Sequence, residues 1–418
     1  MISNILLVAS LALGSSPMAA PMPAEPADAE ALVREAWEVI RDHFHDKTLK
    51  GVDWDAALDR GLSEAKDASS QSEVHDVINR MLAKLQASHT ALLEKETYAV
   101  LEAELAGRNT PQVGCQMEER DGGFFVRSLF DRGSAERAGI LLGDRVVAVD
   151  GDAPEDSPRV RDAGYDPGLP GTPLFAILPD GANPVRITLQ RYPNMADYVA
   201  VTVTPEPTSA VKVARESVRV DAIDGYRIGR LHIPMFPMTA MDKVVKQALA
   251  GPLADCDGLV LDMRGRGGHA GMCDGILSMV KAQKSRFDGR IVALVDERTR
   301  SAKEIFAYKF KKAKLGTVVG RRTEGAVLGA MFKRLADGSV LEYGGMDVTF
   351  LSGVDLEGKG VEPDVEVDEE IPDYGRGRDP ILERGVEVLL KKCRATAKRW
   401  VFAPHPFPAV QDLAIAAW

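Results

Sequence analysis

Three short, almost wholly apolar runs constrain this chain more than anything else in it: Gly258-Leu-Val-Leu-Asp262, Arg290-Ile-Val-Ala-Leu-Val295 and Gly316-Thr-Val-Val-Gly320. Each lacks the polar–apolar alternation of a strand with one wet face. Runs of this kind suit strands buried on both sides, as in a sheet covered by helices. A helical stretch from about Ser301 to Lys314 separates the second run from the third. Strand, helix and strand in that order make a parallel crossover unit. With a further strand at Arg227 to Ile233, residues 218–370 read as an α/β core around a partly parallel sheet.

At 418 residues the chain exceeds what one hydrophobic core organises, so two or three domains are expected. Residues 28–108 read as a helical lobe. Val33, Trp37, Ile40 and Phe44 share one helical face behind an Asp28 N-cap, and a second helix spans Trp54 to Ala65. A third, capped by Ser72, turns Val74, Val77, Ile78, Met81, Leu82 and Leu85 inward and runs into Ser88-His89-Thr90. Residues 109–206 change to short strands, among them Gly123-Phe-Phe-Val-Arg-Ser and Gly143 to Gly151. A short helix between these two is capped at Ser134 and stopped at Gly139. Glu206-Pro207-Thr208-Ser209 reads as a linker. Past the crossover unit, Phe332–Leu335 and Val340–Tyr343 make a hairpin about Asp337-Gly338. An amphipathic helix from Asp379 to Lys392 opens the C-terminal stretch 371–418. The fold class is thus multidomain α/β, with a helical lobe, a β domain and an α/β core.

Apolar content of 45% and charged content of 27% are those of an ordinary globular protein. The net charge of -10, spread without long blocks, argues against nucleic acid as a partner. Ile5 to Leu13 are almost wholly apolar and precede small residues and Pro17, but the run is too short to span a bilayer. Residues 1–24 therefore read as an export signal, with a periplasmic or extracellular destination. Cys115, Cys256, Cys273 and Cys393 have no C-x-x-C spacing and are expected as free, mostly buried thiols. With no H-E-x-x-H, Walker A or G-x-G-x-x-G motif, neither a metal nor a cofactor is expected.

Ser301 stands where a strand ends and a helix begins. Unpaired first-turn N–H groups and the helix dipole favour a developing negative charge there. By position alone, Ser301 or Thr299 fits a simple helix cap equally well.

The wider pattern carries more. Glu297-Arg-Thr-Arg-Ser301-Ala-Lys-Glu-Ile-Phe-Ala307 resembles the nucleophile segment of the tail-specific (C-terminal processing) proteases, peptidase family S41. Val318-Val-Gly320-x-x-Thr323-x-Gly325, Arg264-Gly-Arg-Gly267-Gly268, Asp337-Gly-Ser339 and Gly360-Val-Glu-Pro-Asp364 continue the likeness, which covers about 110 to 392. Ser134-Ala-x-x-Ala138-Gly139, Gly143-Asp-x-Val146, Val149-Asp-Gly151, Gly168-Leu-Pro-Gly171-Thr172 and Ile187 to Arg191 resemble a PDZ domain. Its carboxylate-binding loop would be Val113-Gly114-Cys115-Gln116, through backbone N–H groups.

The resemblance implies a serine endopeptidase acting on unfolded or tail-exposed polypeptides. The bacterial branch places a general-base lysine after Thr-x-Gly, where this chain has Ala326; Lys333 is a poor substitute inside the hairpin. The active-site pattern is closer to the tricorn-core branch, which implies His89 as base, supported by Ser88 and Glu357. A serine needs a base titrating near neutrality, and an imidazole needs an acceptor that fixes its tautomer. A helix-end histidine facing the C-terminal dipole is the plainer reading of His89, and a solvated loop carboxylate that of Glu357. His269 is a rival base that would crowd the oxyanion position. Gly267, Gly268 and Ala302 would form the oxyanion hole. Arg266 and Lys303 depart from the family's usual asparagine and small residue. A catalytically inactive binding protein of the same fold is the alternative.

Overall fold

The computed structural model describes residues 28–162, 174–191, 196–370, 373–374 and 378–401. The expected export signal, the Gly168–Thr172 part of the PDZ resemblance and the chain beyond 401 lie outside these residues.

Helix α1 (Ala29–His43) starts where the Asp28 carboxylate accepts the N–H of Glu30, and buries Val33, Trp37 and Ile40. Helices α2 (Trp54–Ala65) and α3 (Gln71–Ala83) pack on it. The cap of α3 is Ser70 and not Ser72. Ser70 is extended and its Oγ accepts the N–H of Glu73, whose carboxylate reaches back to Ser69 N at 2.6 Å. This cap sets the start two residues earlier than expected. Because α3 ends at Ala83, Ser88-His89-Thr90 lie in the following turn, away from any helix terminus. That turn leads into β1 (Ala91–Leu93) and then α4 (Lys95–Leu105).

Next come β2 (Thr110–Gln112), β3 (Cys115–Arg120), β4 (Gly123–Leu129), α5 (Ser134–Arg137), β5 (Arg145–Val149), β6 (Val160–Asp162), β7 (Leu174–Ile177), β8 (Val185–Gln190) and β9 (Tyr198–Val203). Seven of these strands form one sheet in the order β6-β7-β3-β4-β5-β8-β9, around Val126, Val146, Ile187 and Leu189. The expected linker is ordered structure. Strand β10 (Glu206–Thr208) pairs antiparallel with β2, and Ser209 caps α6 (Ala210–Glu216), which packs into the core that follows.

That core contains β11 (Arg219–Ile223), β12 (Tyr226–His232), α7 (Met241–Ala250), β13 (Gly258–Asp262), α8 (Ala270–Ala282), α9 (Lys284–Phe287), β14 (Ile291–Val295), α10 (Ala302–Lys312) and β15 (Thr317–Gly320). Strands β16 (Gly329–Arg334) and β17 (Val340–Met346), α11 (Thr349–Ser352), β18 (Val365–Glu366) and α12 (Pro380–Val401) complete it. The sheet order is β11-β12-β13-β14-β15-β18; β12 through β18 run parallel and β11 antiparallel. Helices α6, α7, α8 and α10 cover one face, and Ile381, Leu389 and Leu390 of α12 cover the other. The three apolar runs are therefore buried on both sides, as their composition requires. All four cysteines are free and buried. Among the described residues no helix is long and apolar enough to cross a membrane.

A third sheet ties the helical lobe to this core. Its order is β1-β17-β16, with Ala91 opposite Glu342 and Leu93 opposite Val340. Leu92, Leu328, Leu341 and Tyr343 enter the same apolar cluster as Ile40, Ile78 and Leu82 of the helices. Leu341 is fully buried at this junction. Leu341→Ala is expected to cost about 2–5 kcal/mol of stability, measured as a lower urea midpoint with an unchanged slope.

Candidate active site

The loop after β14 is held by Asp296, which is fully buried and accepts from Thr299 Oγ1 at 3.0 Å and from the Arg298 guanidinium at 2.6 and 3.0 Å. Against the cost of burial, the Arg298 and Arg264 charges keep its carboxyl at about 2. Thr299 is consumed in this loop, so the N-cap of α10 is Ser301. Its backbone has φ 55° and ψ -126°, a region that L-residues with side chains rarely enter. Ser301 N donates to Ala326 O at 2.8 Å and to Glu304 Oε2 at 3.1 Å.

Glu304 was not read as functional from the sequence, yet it organises this corner. Its buried carboxylate also accepts from Thr323 Oγ1 (2.5 Å), Gly325 N (2.7 Å) and Ala326 N (2.8 Å). One side chain thus joins the serine to the Thr323–Ala326 turn. Burial pushes the Glu304 carboxyl up to about 7, while these donors favour the anion.

Gly267 lies directly against the serine: a Cβ there would stand 2.5 Å from Ser301 Cβ and 2.7 Å from Arg300 O. Gly268 has φ 110°, and a Cβ on it would meet Phe236 O at 2.2 Å. Phe236 N donates to Gly267 O and His269 N donates to Phe236 O, which fixes the turn. Among the described residues the N–H groups of Gly267, Gly268 and Ala302 have no acceptor, so they are available to an incoming oxygen.

His89 and Glu342 line a cavity of about 540 Å³ together with Gly267, Gly268, Ser301 and Ala302. The imidazole Nδ1 lies 2.9 Å from Glu342 Oε1, and both side chains are nearly buried, at 10% and 13% exposure. The carboxylate on this histidine is thus Glu342, which the sequence analysis missed. It follows from the β1–β17 pairing, which no local signal reveals. Glu357 serves Ser88 instead: it accepts from Ser88 N and Oγ, both at 2.8 Å, and from Val327 N at 2.8 Å and Leu328 N at 3.2 Å. Ser88 and Glu357 are brought together as expected, but they hold the turn that carries His89 and leave the imidazole to Glu342.

Among the described residues no lysine lines this cavity. Ala326 is buried, and Lys333 is exposed on β16. His269 does line it, with its ring turned back over Gly271. Of the expected peptide loop, Val113 and Cys115 are buried. Gly114 has φ 88° and its carbonyl accepts Phe130 N. Gln116 lies in β3 between Ser128 of β4 and Ala176 of β7, so its backbone is not at a sheet edge open to an added strand.

The sequence profile of peptidase family S41 matches residues 276–367, across Ser301 and Glu357, and that of the tricorn protease C1 domain matches 26–83. Residues 276–367 thus carry the sequence pattern of peptidase family S41. Tricorn protease homolog 2 of Streptomyces coelicolor is 28% identical over 85% of this chain and 32% of its own length. The chloroplastic C-terminal processing peptidase of Tetradesmus obliquus is 27% identical over 84% of this chain and 80% of its own. The chain thus spans about a third of the Streptomyces relative. In fold it is similar to a photosystem II D1 C-terminal processing protease (TM-score 0.50, 21% identity, 85% of this chain and 99% of that one). It is likewise similar to the tricorn protease (TM-score 0.50, 19% identity, 88% of this chain and 37% of that one).

Lys303, where this chain departs from the family pattern, is fully buried. Its Nζ donates to Pro234 O at 2.8 Å and Arg264 O at 2.9 Å, tying α10 to the turn before Gly267. A neutral amine has two N–H donors, which these carbonyls satisfy. Burial pushes the group down from 10.5 to about 7, although Asp262 and Asp296 act the other way. The folded chain then binds fewer protons than the unfolded chain between about pH 7 and 10.5, so this group's contribution to stability rises with pH across that window. Thermal unfolding should show the wild type gaining on Lys303→Met from pH 7 to 10; a pH-independent difference refutes the assignment. Gly267→Ala is expected to displace Ser301 and slow its labelling by a fluorophosphonate about 10²-fold, with the far-UV spectrum retained.

Proposed function

We propose that this chain is a serine endopeptidase with Ser301 as nucleophile and His89 as general base. One observation carries the reading: His89 and Ser301, 212 positions apart in sequence, line the same cavity, with an acidic partner on the imidazole and unbonded N–H groups beside the serine. Ser301 Oγ attacks the scissile carbonyl carbon and its proton passes to His89 Nε2. Glu342 holds the proton on Nδ1 and stabilises the imidazolium. The carbonyl oxygen, now negative, takes N–H bonds from Ala302 and from Gly267 or Gly268. Imidazolium returns the proton to the leaving amine, and water, deprotonated by His89, then releases the acyl group. Glu357 and Ser88 position the histidine, and Glu304 positions the serine.

The substrates in this reading are unfolded or tail-exposed polypeptides. Leu101, Leu105, Met238, Ile305 and Phe350 give the cavity an apolar wall suited to side chains that a folded substrate would hide. We assign residues 109–206 to a PDZ module that assists capture, and the chain to the exported proteins of the periplasm or extracellular space.

A fluorophosphonate probe should label the wild type and leave Ser301→Ala unlabelled. Failure to label well-folded wild type would point to a binding protein of this fold. His89→Ala should reduce kcat/KM on an unfolded protein substrate by about 10³-fold or more, and Glu342→Gln by about 10²–10⁴-fold. Near-normal turnover in His89→Ala would remove the histidine from its role.

A further inference from the structure

Strand β16 ends the sheet β1-β17-β16, and among the described residues no strand pairs with its outer edge. The direction of its backbone groups follows from the register. Where the hairpin closes, Leu335 N donates to Ser339 O at 2.9 Å. Bonded and unbonded pairs alternate along an antiparallel ladder, so Lys333 and Met331 are the next residues that bond β17. The N–H and C=O groups of Ala330, Phe332 and Arg334 therefore point to the open edge. The other side of β17 agrees: Glu342, opposite Phe332, is a rung of the ladder to β1.

This edge belongs to the cavity that holds the serine. Gly329, Ala330 and Phe332 line it with Ser301 and His89, and Ala326, three residues before β16, accepts Ser301 N at 2.8 Å. The two faces of the sheet differ. Leu93, Phe332 and Glu342 lie on the face turned to the cavity, where the Phe332 and Tyr98 rings meet at 5.2 Å between centroids. Met331 and Lys333 lie on the other face, and Met331 is 44% exposed. Proteins blunt open edges with charge, and here Lys333 and Arg334 do so at the outer end only. The inner end, Gly329 to Phe332, carries no charge and faces the cavity.

We propose that β16 takes the substrate as an added strand, and that the protein thereby selects unfolded segments whose apolar residues alternate along the chain. Backbone bonds to Ala330 and Phe332 fix the register and ask for no particular sequence. The substrate residue opposite Phe332 turns its side chain into the apolar cavity, and its neighbours turn theirs towards Met331 and solvent. This inference rests on the peptidase reading and names its substrate class.

The test uses two quenched-fluorescence peptides of identical composition, one with apolar and polar residues alternating and one with its apolar residues grouped. The alternating peptide should be cut with kcat/KM about tenfold higher, mainly through KM. Single amide-to-ester replacements along it, each deleting one N–H, should raise KM at every second position and leave the positions between nearly unchanged. Ala330→Pro removes an edge N–H and no bond to β17. It should narrow the gap between the two peptides by more than it slows fluorophosphonate labelling. Equal cleavage of the two peptides by wild type, or ester losses without a two-residue period, overturns the strand addition. So does a mass that doubles with concentration in wild type and not in Ala330→Pro, which would give the edge to a second copy of the chain. Fluorescence anisotropy of the ester series on Ser301→Ala reports the period without turnover. A two-residue period there, with wild type that no fluorophosphonate labels, keeps the strand addition and refutes the peptidase; cleavage without the period does the reverse.

Discussion

The site depends on a ladder of three residue pairs, Ala91 to Leu93 against Glu342 to Val340. It is the point at which a lobe of helices is fastened to the hairpin that leaves the α/β core. His89 stands two residues before the ladder and Glu342 is the rung opposite Ala91, so one pairing register brings imidazole and carboxylate to 2.9 Å. A slip of one residue would turn Glu342 to the opposite face of the sheet and break the pair. Glu357 guards that register independently, by gathering Ser88 and the N–H groups of Val327 and Leu328 on one carboxylate. Apolar packing of Leu92 and Leu341 among the helices supplies the driving force, and the polar contacts supply the specificity.

Around the serine the interior holds several ionisable side chains, and each is met. Asp296, Lys303 and Glu304 are fully buried, and each is bonded by donors or acceptors that come from different parts of the chain. Such groups are costly unless satisfied, and when satisfied they fix geometry closely. That rigidity is what maintains Ser301 at φ 55°. The glycine at 267 is the steric complement, since any larger residue would occupy the space of the serine side chain.

Ala326 leaves no side-chain base at its own position. A position that holds a lysine base in one branch of the family contributes only backbone here, its carbonyl accepting Ser301 N and its N–H donating to Glu304. In the proposed mechanism the base is instead His89, from the helical lobe. His89 and Ser301 line one cavity, and Arg300, next to the serine in the chain, lines both that cavity and a neighbouring one.

Several features were legible because they are local. The apolar runs at 258, 290 and 316 became buried parallel strands, α2 spans Trp54–Ala65, Asp28 caps α1, and Ser301 begins a helix beside two glycines. Periodicity, capping and the loss of a Cβ act within a few residues, so sequence determines them directly. The end of α3, the strand at Glu206–Thr208 and the partner of His89 were not legible. Neither Glu342 nor Glu304 was singled out in the sequence, and Lys303 stood out only as a departure from the family pattern. Their roles arise only when distant segments close on one another, as between His89 and Glu342, 253 positions apart. The sequence by itself determined which elements form and where the candidate nucleophile stands. Tertiary structure alone decided which carboxylate meets which base, because burial and hydrogen bonding belong to faces that touch and not to positions along a chain.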